Sequence, residues 1–526
     1  MTSPDPAVID SDTSSFAVQR SSAEGQVLAI IAVGAIARFI LAAVVGLGVD
    51  ESYAVAVARG ASLSYFDHPP LHFWLAGGIA RIAGTEMPEV VRLPFVLCFA
   101  GTTWFTWTTT RRLFGERAGL LAVLLLNISA VFSLSSGGWV LPDGPLMLCM
   151  MVAVDRISGI LFPTDAERAA AGSPFVAWCV AGLFTGLAML SKYHGVFVLA
   201  GTAGFLATSP AHRKWLATPG PYVGTLIAFA CFSPVLLWNA QHGWVSFAFQ
   251  GGRAVAQGGI HLDSFAANIG GQMAWVLPWI FIPLAASAWR ALRAGPRDGA
   301  RWFLLSLAAG PIVGFTLVSL RGDPGLPHWQ APGWLFVFPM LGAAVADRIG
   351  RGSVGTRRWL QWSAWGYAAL LALVVPHAST GVLARVMPGA FERGDPTADL
   401  ATWRQVRPAL AEAGFDPDRD FVAATSWIQA GKAAIGAGPT IPVLCLCADP
   451  HQFLYLNDEA AFVGRDAMIV HKVRAGDDAR ERLAPYFDSI EPAGEFAVER
   501  GPQDLMTVEL LRARGFRAPF PTNQPR

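Results

Sequence analysis

Residues 48–84 read GVDESYAVAVARGASLSYFDHPPLHFWLAGGIARIAG, and they begin where an apolar run over residues 27–48 ends. A run of that length matches the roughly 20 residues that a helix needs to cross a hydrocarbon core. Asp50 and Glu51 therefore stand at a depth where carboxylates are costly and their presence points to function. A short helix-like piece follows, and then Asp67-His68-Pro69-Pro70. Asp67 is placed to cap a helix over residues 69–83, whose first turn tolerates proline. That helix is too short to span and apolar over much of its surface, which sets it in the membrane interface. Two interfacial helices framing an acidic pair make a lid over one end of a helical bundle. The plain alternative is that Asp50 merely caps the first of them.

The rest of the chain agrees with a membrane setting. Of 526 residues, 53% are hydrophobic and 15% charged, against about 25% charged in soluble proteins. Lys+Arg 39 against Asp+Glu 38 leaves a net +1, so no bulk field draws the chain to nucleic acid. A soluble enzyme, a disordered protein and a DNA binder are excluded, which leaves a polytopic membrane protein. Apolar runs near 27–48, 91–110, 118–136, 140–161, 174–190, 195–209, 221–238, 269–289, 302–320, 332–347 and 359–376 predict about eleven membrane spans, within a range of roughly 10–13. With the N-terminus in the cytoplasm, the inner loops hold fifteen Arg and Lys residues between Arg111 and Arg358. The outer loops then hold only Arg59, Arg81, Lys192, Arg253 and Arg321, as the positive-inside rule expects.

Residues 1–26 read as a disordered cytoplasmic tail. They lack the charged-then-apolar order of a cleaved signal peptide, so the first span is expected to remain as an anchor. Residues 27–378 form the multi-spanning domain, and residues 379–526 an outer-side α/β domain. In the latter, DFVAATSW, IPVLCLCA and DAMIVHKV alternate with the helix-like IQAGKAAIGAG and DDARERLAPYF. Cys98, Cys149, Cys179 and Cys231 lie in apolar runs, where cysteine behaves as a small hydrophobe. Cys445 and Cys447 sit in a strand-like run, and core packing is their ordinary role.

Other outer loops carry candidate chemistry. Asp143, in GGWVLPDGPLMLCMM, opens the fourth span, with a turn or helix cap as its plain alternative. Lys192 and Tyr193 lie in LSKYHG, Arg253 in FQGGR and Arg321 in LRGDPGLPHWQAP. Each cation could snorkel to lipid head groups, but together they could neutralise a phosphate. Trp244, Trp275, Trp279 and Trp329 suit an interface belt or sugar stacking. A base with cations at one membrane face fits a reaction on a lipid-borne phosphate ester.

The acidic pair followed by YFDHPPLHFWL resembles the bacterial GT-C glycosyltransferases (families 39 and 83), related to protein O-mannosyltransferases and to the aminoarabinose and galacturonic acid transferases of lipopolysaccharide. The resemblance runs through LPDGPL, LSKYHGVF, PVLLWNAQHGWVSFAFQGGR, PHWQAPGW, DPTADLATW and PVLCLCADPHQFLYL, and so covers most of residues 27–460. It implies a membrane α-helical GT-C fold whose catalytic loops and α/β domain lie outside the bacterial inner membrane. A sugar would pass from a polyprenyl-phosphate donor to lipopolysaccharide or lipid A, another glycan or a protein, by inverting displacement. In that frame Asp50 is the general base, while Glu51 and Asp143 orient the acceptor or adjust the pKa of the base. Lys192, Arg253 and Arg321 meet the phosphate, with His68, Tyr193, His328 and Trp329 as further substrate contacts. His328-Trp329 departs from the Asn-Trp common in related chains, which leaves sugar and acceptor open. No cofactor is implied, and a divalent metal among Asp50, Glu51, Asp143 and the histidines stays open because no spacing is diagnostic. A flippase of lipid-linked sugars and a binding protein without chemistry are the competing readings.

Overall fold

The computed structural model describes residues 11–526 except 171, 253–258, 323–324, 393, 474–475, 502 and 525–526. In lipid, backbone N–H and C=O groups have only one another to bond, so apolar runs become helices. The first is α1 (Ser11–Val44), apolar and long enough to cross a membrane from Ser22 onward. It already starts at Ser11, so the part of the expected disordered tail after residue 10 continues the helix, while residues 1–10 lie outside the described residues. Two short helices, α2 (Val49–Val57) and α3 (Leu71–Ala83), occupy the loop read as interfacial. Then come α4 (Pro88–Phe114), α5 (Glu116–Asn127), the turn-length α6 (Ser136–Gly138), α7 (Asp143–Leu161) and a short α8 (Asp165–Ala169). The bundle continues with α9 (Pro174–Ser191), α10 (Val196–Thr208), α11 (Gly220–Gln241), α12 (Val245–Gly252) and α13 (Leu262–Val276). It closes with α14 (Pro278–Ala294), α15 (Gly299–Ser319), α16 (Ala331–Leu335), α17 (Phe338–Gly350) and α18 (Val354–Thr380).

Among the described residues, seven helices are long and apolar enough to cross a membrane, and nine if each of two bent pairs is one span. The bent pairs break at 78° after α5 and at 110° between α13 and α14. At the second break, Leu277 takes a φ of 80° ahead of Pro278. The two remaining runs of the expected eleven correspond to the short apolar helix Tyr193–Thr208 and to α18.

After α19 (Val382–Val386) and α20 (Val406–Glu412), the chain forms β1 (Phe421–Ala424), α21 (Trp427–Ala437), β2 (Val443–Cys445), β3 (Ala467–Lys472), β4 (Ser489–Arg500) and β5 (Gln503–Arg514). The sheet order is β2-β1-β3-β5-β4. β1 runs parallel to β2 and β3, whereas β5 is antiparallel to both β3 and β4. The three short strands fall on the three apolar runs of the sequence. The longer hairpin of β4 and β5 has no such run, because charged residues, Pro492 and Gly494 interrupt its alternation.

The outer domain is seated on α2. One apolar core joins Leu47, Tyr53 and Phe73 to Val422, Ala430, Val443 and Met468. At Gly431 of α21, a Cβ would lie 2.9 Å from the backbone N of Tyr53, so only glycine permits this approach. The next residue, Lys432, is buried and donates to the carbonyls of Leu47 (2.6 Å), Asp399 (2.6 Å) and Ala401 (2.9 Å). Position 50 is thereby fixed from both sides.

Candidate active site

The N-terminus of α2 is built by its own acidic residues. Gly48 is the N-cap, and its N–H donates to Glu51 Oε2 at 2.8 Å. The capping partner is thus Glu51, which answers the alternative that Asp50 caps this helix. Glu51 is buried and accepts from Arg92 at 2.7 Å (Nε to Oε1) and 2.5 Å (Nη2 to Oε2), and from the N–H of Val140 at 3.0 Å. Burial alone would raise its pKa, but the Arg92 guanidinium and these N–H donors hold it below the usual carboxylate range. Every lone pair of Glu51 is committed, and it does not line the cavity described next. This corrects the expectation that it orients an acceptor. What it retains is a charge beside Asp50.

Asp50 lines a cavity of about 790 Å³ and is open to it. The protein around the cavity pushes its carboxyl pKa up by desolvation, the charges of Asp67 and Glu51 add to the rise, and His451 opposes it. Asp67 does not cap α3, whose N-cap is Pro70 with no side-chain bond. Instead it accepts from the Tyr53 hydroxyl at 2.9 Å, while its backbone carbonyl accepts from Gln250 at 2.6 Å. Burial pushes Asp67 upward, yet His451, His68 and Tyr53 together hold it well below its ordinary value. His451 comes from the outer domain with a left-handed φ of 53°, a strained backbone of the kind found at sites. Its ring stacks on Trp427 at 4.7 Å and stands 3.3 Å from Asp449. The outer domain thus roofs the cavity with Trp427 and His451.

On another wall, Lys192 and Asp143 are both buried and paired at 3.0 and 3.1 Å. Lys192 sits where α9 stops, in extended backbone (φ −155°, ψ 144°) before the next helix begins. Asp143 opens α7 as expected. Rather than serving apart, as base-tuner and phosphate ligand, they face each other across 49 positions of sequence. His68, Tyr193, His328 and Trp329 all line the cavity, and so do His72 and His194. Burial lowers the pKa of His72 well below its ordinary value, with His68 adding to the effect. Burial and Lys192 lower that of His328 to about 4. Both rings are therefore neutral near pH 7 and serve as hydrogen-bond partners rather than charges.

The remaining wall is apolar, formed by Met189, Phe229, Phe232, Leu236, Phe247 and Phe315. Phe229 is itself half exposed on the outside of the bundle, so this wall opens toward lipid. Arg321 is exposed and is not among the lining residues. It lies after the last turn of α15 and outside the cavity lining, which does not bear out its expected phosphate contact. Arg253 lies outside the described residues. Among the described lining residues, Lys192 is the sole Lys or Arg. Trp244, Trp275 and Trp279 are exposed on the bundle surface as a belt would be, unlike Trp329. Among the described residues, no three His, Cys, Asp or Glu side chains are grouped so as to hold a metal ion.

Sequence reasoning missed Tyr53, Asp67, His72, His194, Gln250, Trp427 and His451 as lining groups. The DHPP and DPHQ stretches carry the only local signal for Asp67 and His451: an acid beside a histidine at a proline-rich turn.

The site can be set beside known proteins. A family model described as dolichyl-phosphate-mannose-protein mannosyltransferase matches residues 67–238. The lipid A galacturonosyltransferase RgtD of Rhizobium johnstonii is 26% identical over 305 residues, or 53% of this chain and 62% of that protein. The structure of ArnT from Cupriavidus metallidurans in the apo state aligns with a TM-score of 0.62 at 17% identity, over 93% of this chain and 98% of that one. The chain has the GT-C fold. The same ArnT bound to undecaprenyl phosphate aligns with this chain at a TM-score of 0.61. The alignment over nearly the whole chain takes in both the helical bundle and the outer domain. The chain is multi-pass, and it spans 62% of the length of the curated relative it matches.

Proposed function

We propose that this protein is an integral-membrane glycosyltransferase that moves a sugar from a polyprenyl-phosphate donor to a hydroxyl of an envelope glycolipid, with lipid A as the first acceptor to test. The observation that carries this reading is the cavity's polarity. A carboxylate with a raised pKa stands at one end, a buried lysine at another wall, and an apolar wall opens toward lipid.

In this reading the prenyl chain lies along Phe229, Phe232 and Phe247, and the phosphate meets Lys192, drawing it from Asp143. Asp50 takes the proton of the acceptor hydroxyl as its oxygen attacks the anomeric carbon. The bond from that carbon to the phosphate oxygen breaks, and its electron pair leaves with the phosphate. A phosphate leaves without needing a proton, but its growing charge must be met by a cation and by neutral donors such as His72 and His328. One displacement with a single base inverts the anomeric centre. The outer domain, with the cavity beneath it, would lie on the periplasmic side of the inner membrane with the N-terminus in the cytoplasm. The arginine asymmetry of the loops supports that placement.

The test uses purified protein in lipid, a panel of polyprenyl-phosphate sugars, and lipid A or envelope extract. Release of polyprenyl phosphate is followed for the wild type and Asp50→Asn. Release by the wild type and its loss in the variant are expected. Full release by Asp50→Asn would move the base elsewhere, and transport of lipid-linked sugar without any transfer product would replace the enzyme with a flippase.

A further inference from the structure

A second cavity lies at the other end of the bundle. It has a volume of about 580 Å³ and is lined from α14, α15 and α17. A third cavity of about 320 Å³ adjoins it, with Arg290, Ala344 and Arg348 common to both. The helix α15 connects this region to the first cavity. Arg301 near its start lines the second cavity, and Val318 near its end lines the first. Seventeen residues at 1.5 Å each separate them by about 25 Å, close to the thickness of a hydrocarbon core. The second cavity therefore sits at the membrane surface opposite the candidate active site.

Its charges do not balance. Arg301 pairs with Asp298 and Arg351 pairs with Asp347. Arg290 donates to the Ser287 hydroxyl at 3.2 Å, and among the described residues neither Arg290 nor Arg348 has a carboxylate partner. Four guanidiniums thus line the cleft against two carboxylates, and the exposed Arg290 and Arg348 are the two left without a carboxylate of their own among the described residues. The surroundings belong to lipid rather than to water. Trp289, Trp362 and Trp365 are exposed, Arg293 lies 5.2 Å over the Trp289 ring, and Trp359 lines the adjoining cavity. Exposed tryptophans of this kind sit at the head-group level of a bilayer, and basic clefts between spanning helices take lipid phosphates.

We propose that Arg290 and Arg348 form a binding site for the phosphate of an anionic lipid in the leaflet opposite the candidate active site. The phosphodiester would lie between the two guanidiniums, and the acyl chains would run along α14 and α18 beside the exposed tryptophans. Arg301 and Arg351, held by their own carboxylates, would border the head group. The proposal does not depend on the reaction at the first cavity.

The test uses the full-length protein in detergent, with phosphatidylglycerol retention read by native mass spectrometry and phosphatidylethanolamine as the zwitterionic comparison. Each surface guanidinium contributes about fivefold in affinity, so Arg290→Gln/Arg348→Gln should bind phosphatidylglycerol about 30-fold more weakly. Arg117→Gln/Arg213→Gln removes two exposed charges elsewhere and should bind as the wild type does. Arg290→Lys/Arg348→Lys keeps the charge and should stay within a few-fold of the wild type. Equal retention by the wild type and the Gln pair would overturn the site. Displacement of the lipid by equimolar inorganic phosphate would make the ligand a soluble anion and overturn the lipid assignment. Should the Gln pair fail to fold, a photoactivatable phosphatidylglycerol on the wild type must label α14, α17 or α18, and labelling confined to other helices overturns the proposal.

Discussion

Arg92→Met removes the guanidinium that holds both Glu51 and the end of α1. Both partners of the pair are 2% exposed, so water cannot replace the lost bonds. Arg92 also donates to the carbonyls of Ala42 (3.1 Å), Val45 (2.7 Å) and Gly46 (2.7 Å), which close the end of α1. Removing one partner of a buried pair costs about 3–5 kcal/mol, because the other is left charged and unanswered. The freed carbonyls keep the estimate at the upper end of that range. Met fills similar volume, so a cavity is not the cause of the loss. Thermal and denaturant unfolding in detergent, followed by tryptophan fluorescence, would measure it. Two further readouts identify the mechanism. Without Arg92, burial raises the Glu51 pKa against only the Gly48 and Val140 N–H donors, so the folded variant takes up a proton more readily than the wild type does and its deficit should shrink as pH falls from 7 to 5. Adding Glu51→Gln should likewise restore part of the stability, since the amide oxygen can still accept from Gly48. A loss below about 1 kcal/mol, a deficit that does not shrink at low pH, or a double variant no better than Arg92→Met would refute the reasoning.

Three other predictions follow from the same geometry. Asp67→Asn removes the largest charge contribution to the raised Asp50 pKa, so the acid limb of kcat/KM for sugar transfer should move to lower pH; an unmoved limb would separate Asp67 from the base. Gly431→Ala forces a Cβ against the Tyr53 backbone and should cost about 1–3 kcal/mol, read as a lower Tm together with reduced donor release. His328 titrates near 4 in the fold and near 6.5 unfolded, so its neutral form contributes stability above pH 6.5 that is lost as pH falls toward 4. Measured Tm should drop across that window, and His328→Gln should flatten the slope.

The spans were legible because hydropathy is a local property, and so were the two interfacial helices, whose lengths are too short to cross. Asp50 was legible too, since a carboxylate directly after an apolar run is conspicuous on its own. What escaped was pairing over distance. Arg92 looked like one residue inside a span, and nothing near it in sequence shows that it answers Glu51. Lys192 and Asp143 each looked free because their mutual bond is decided by the packing of α7 against α9. Arg321 looked equivalent to Lys192 by loop position, although a cation at a loop tip and one at a helix break reach different places. Trp427 and His451 were hidden most deeply, since their part depends on how a separate sheet domain is seated on α2.

That seating bears on how such proteins could be recombined. Gly431 touches the Tyr53 backbone, and Gln452 donates from its N–H to the Tyr53 hydroxyl at 3.1 Å, next to His451 in the roof. A chimera that exchanged only the outer domain would pair a foreign ceiling with a native floor, and the tyrosine would lose contacts from both. Grafting a new acceptor preference onto this scaffold therefore requires residues 48–84 to travel with the sheet domain as one module, although nearly 300 residues of helical bundle separate them in the chain.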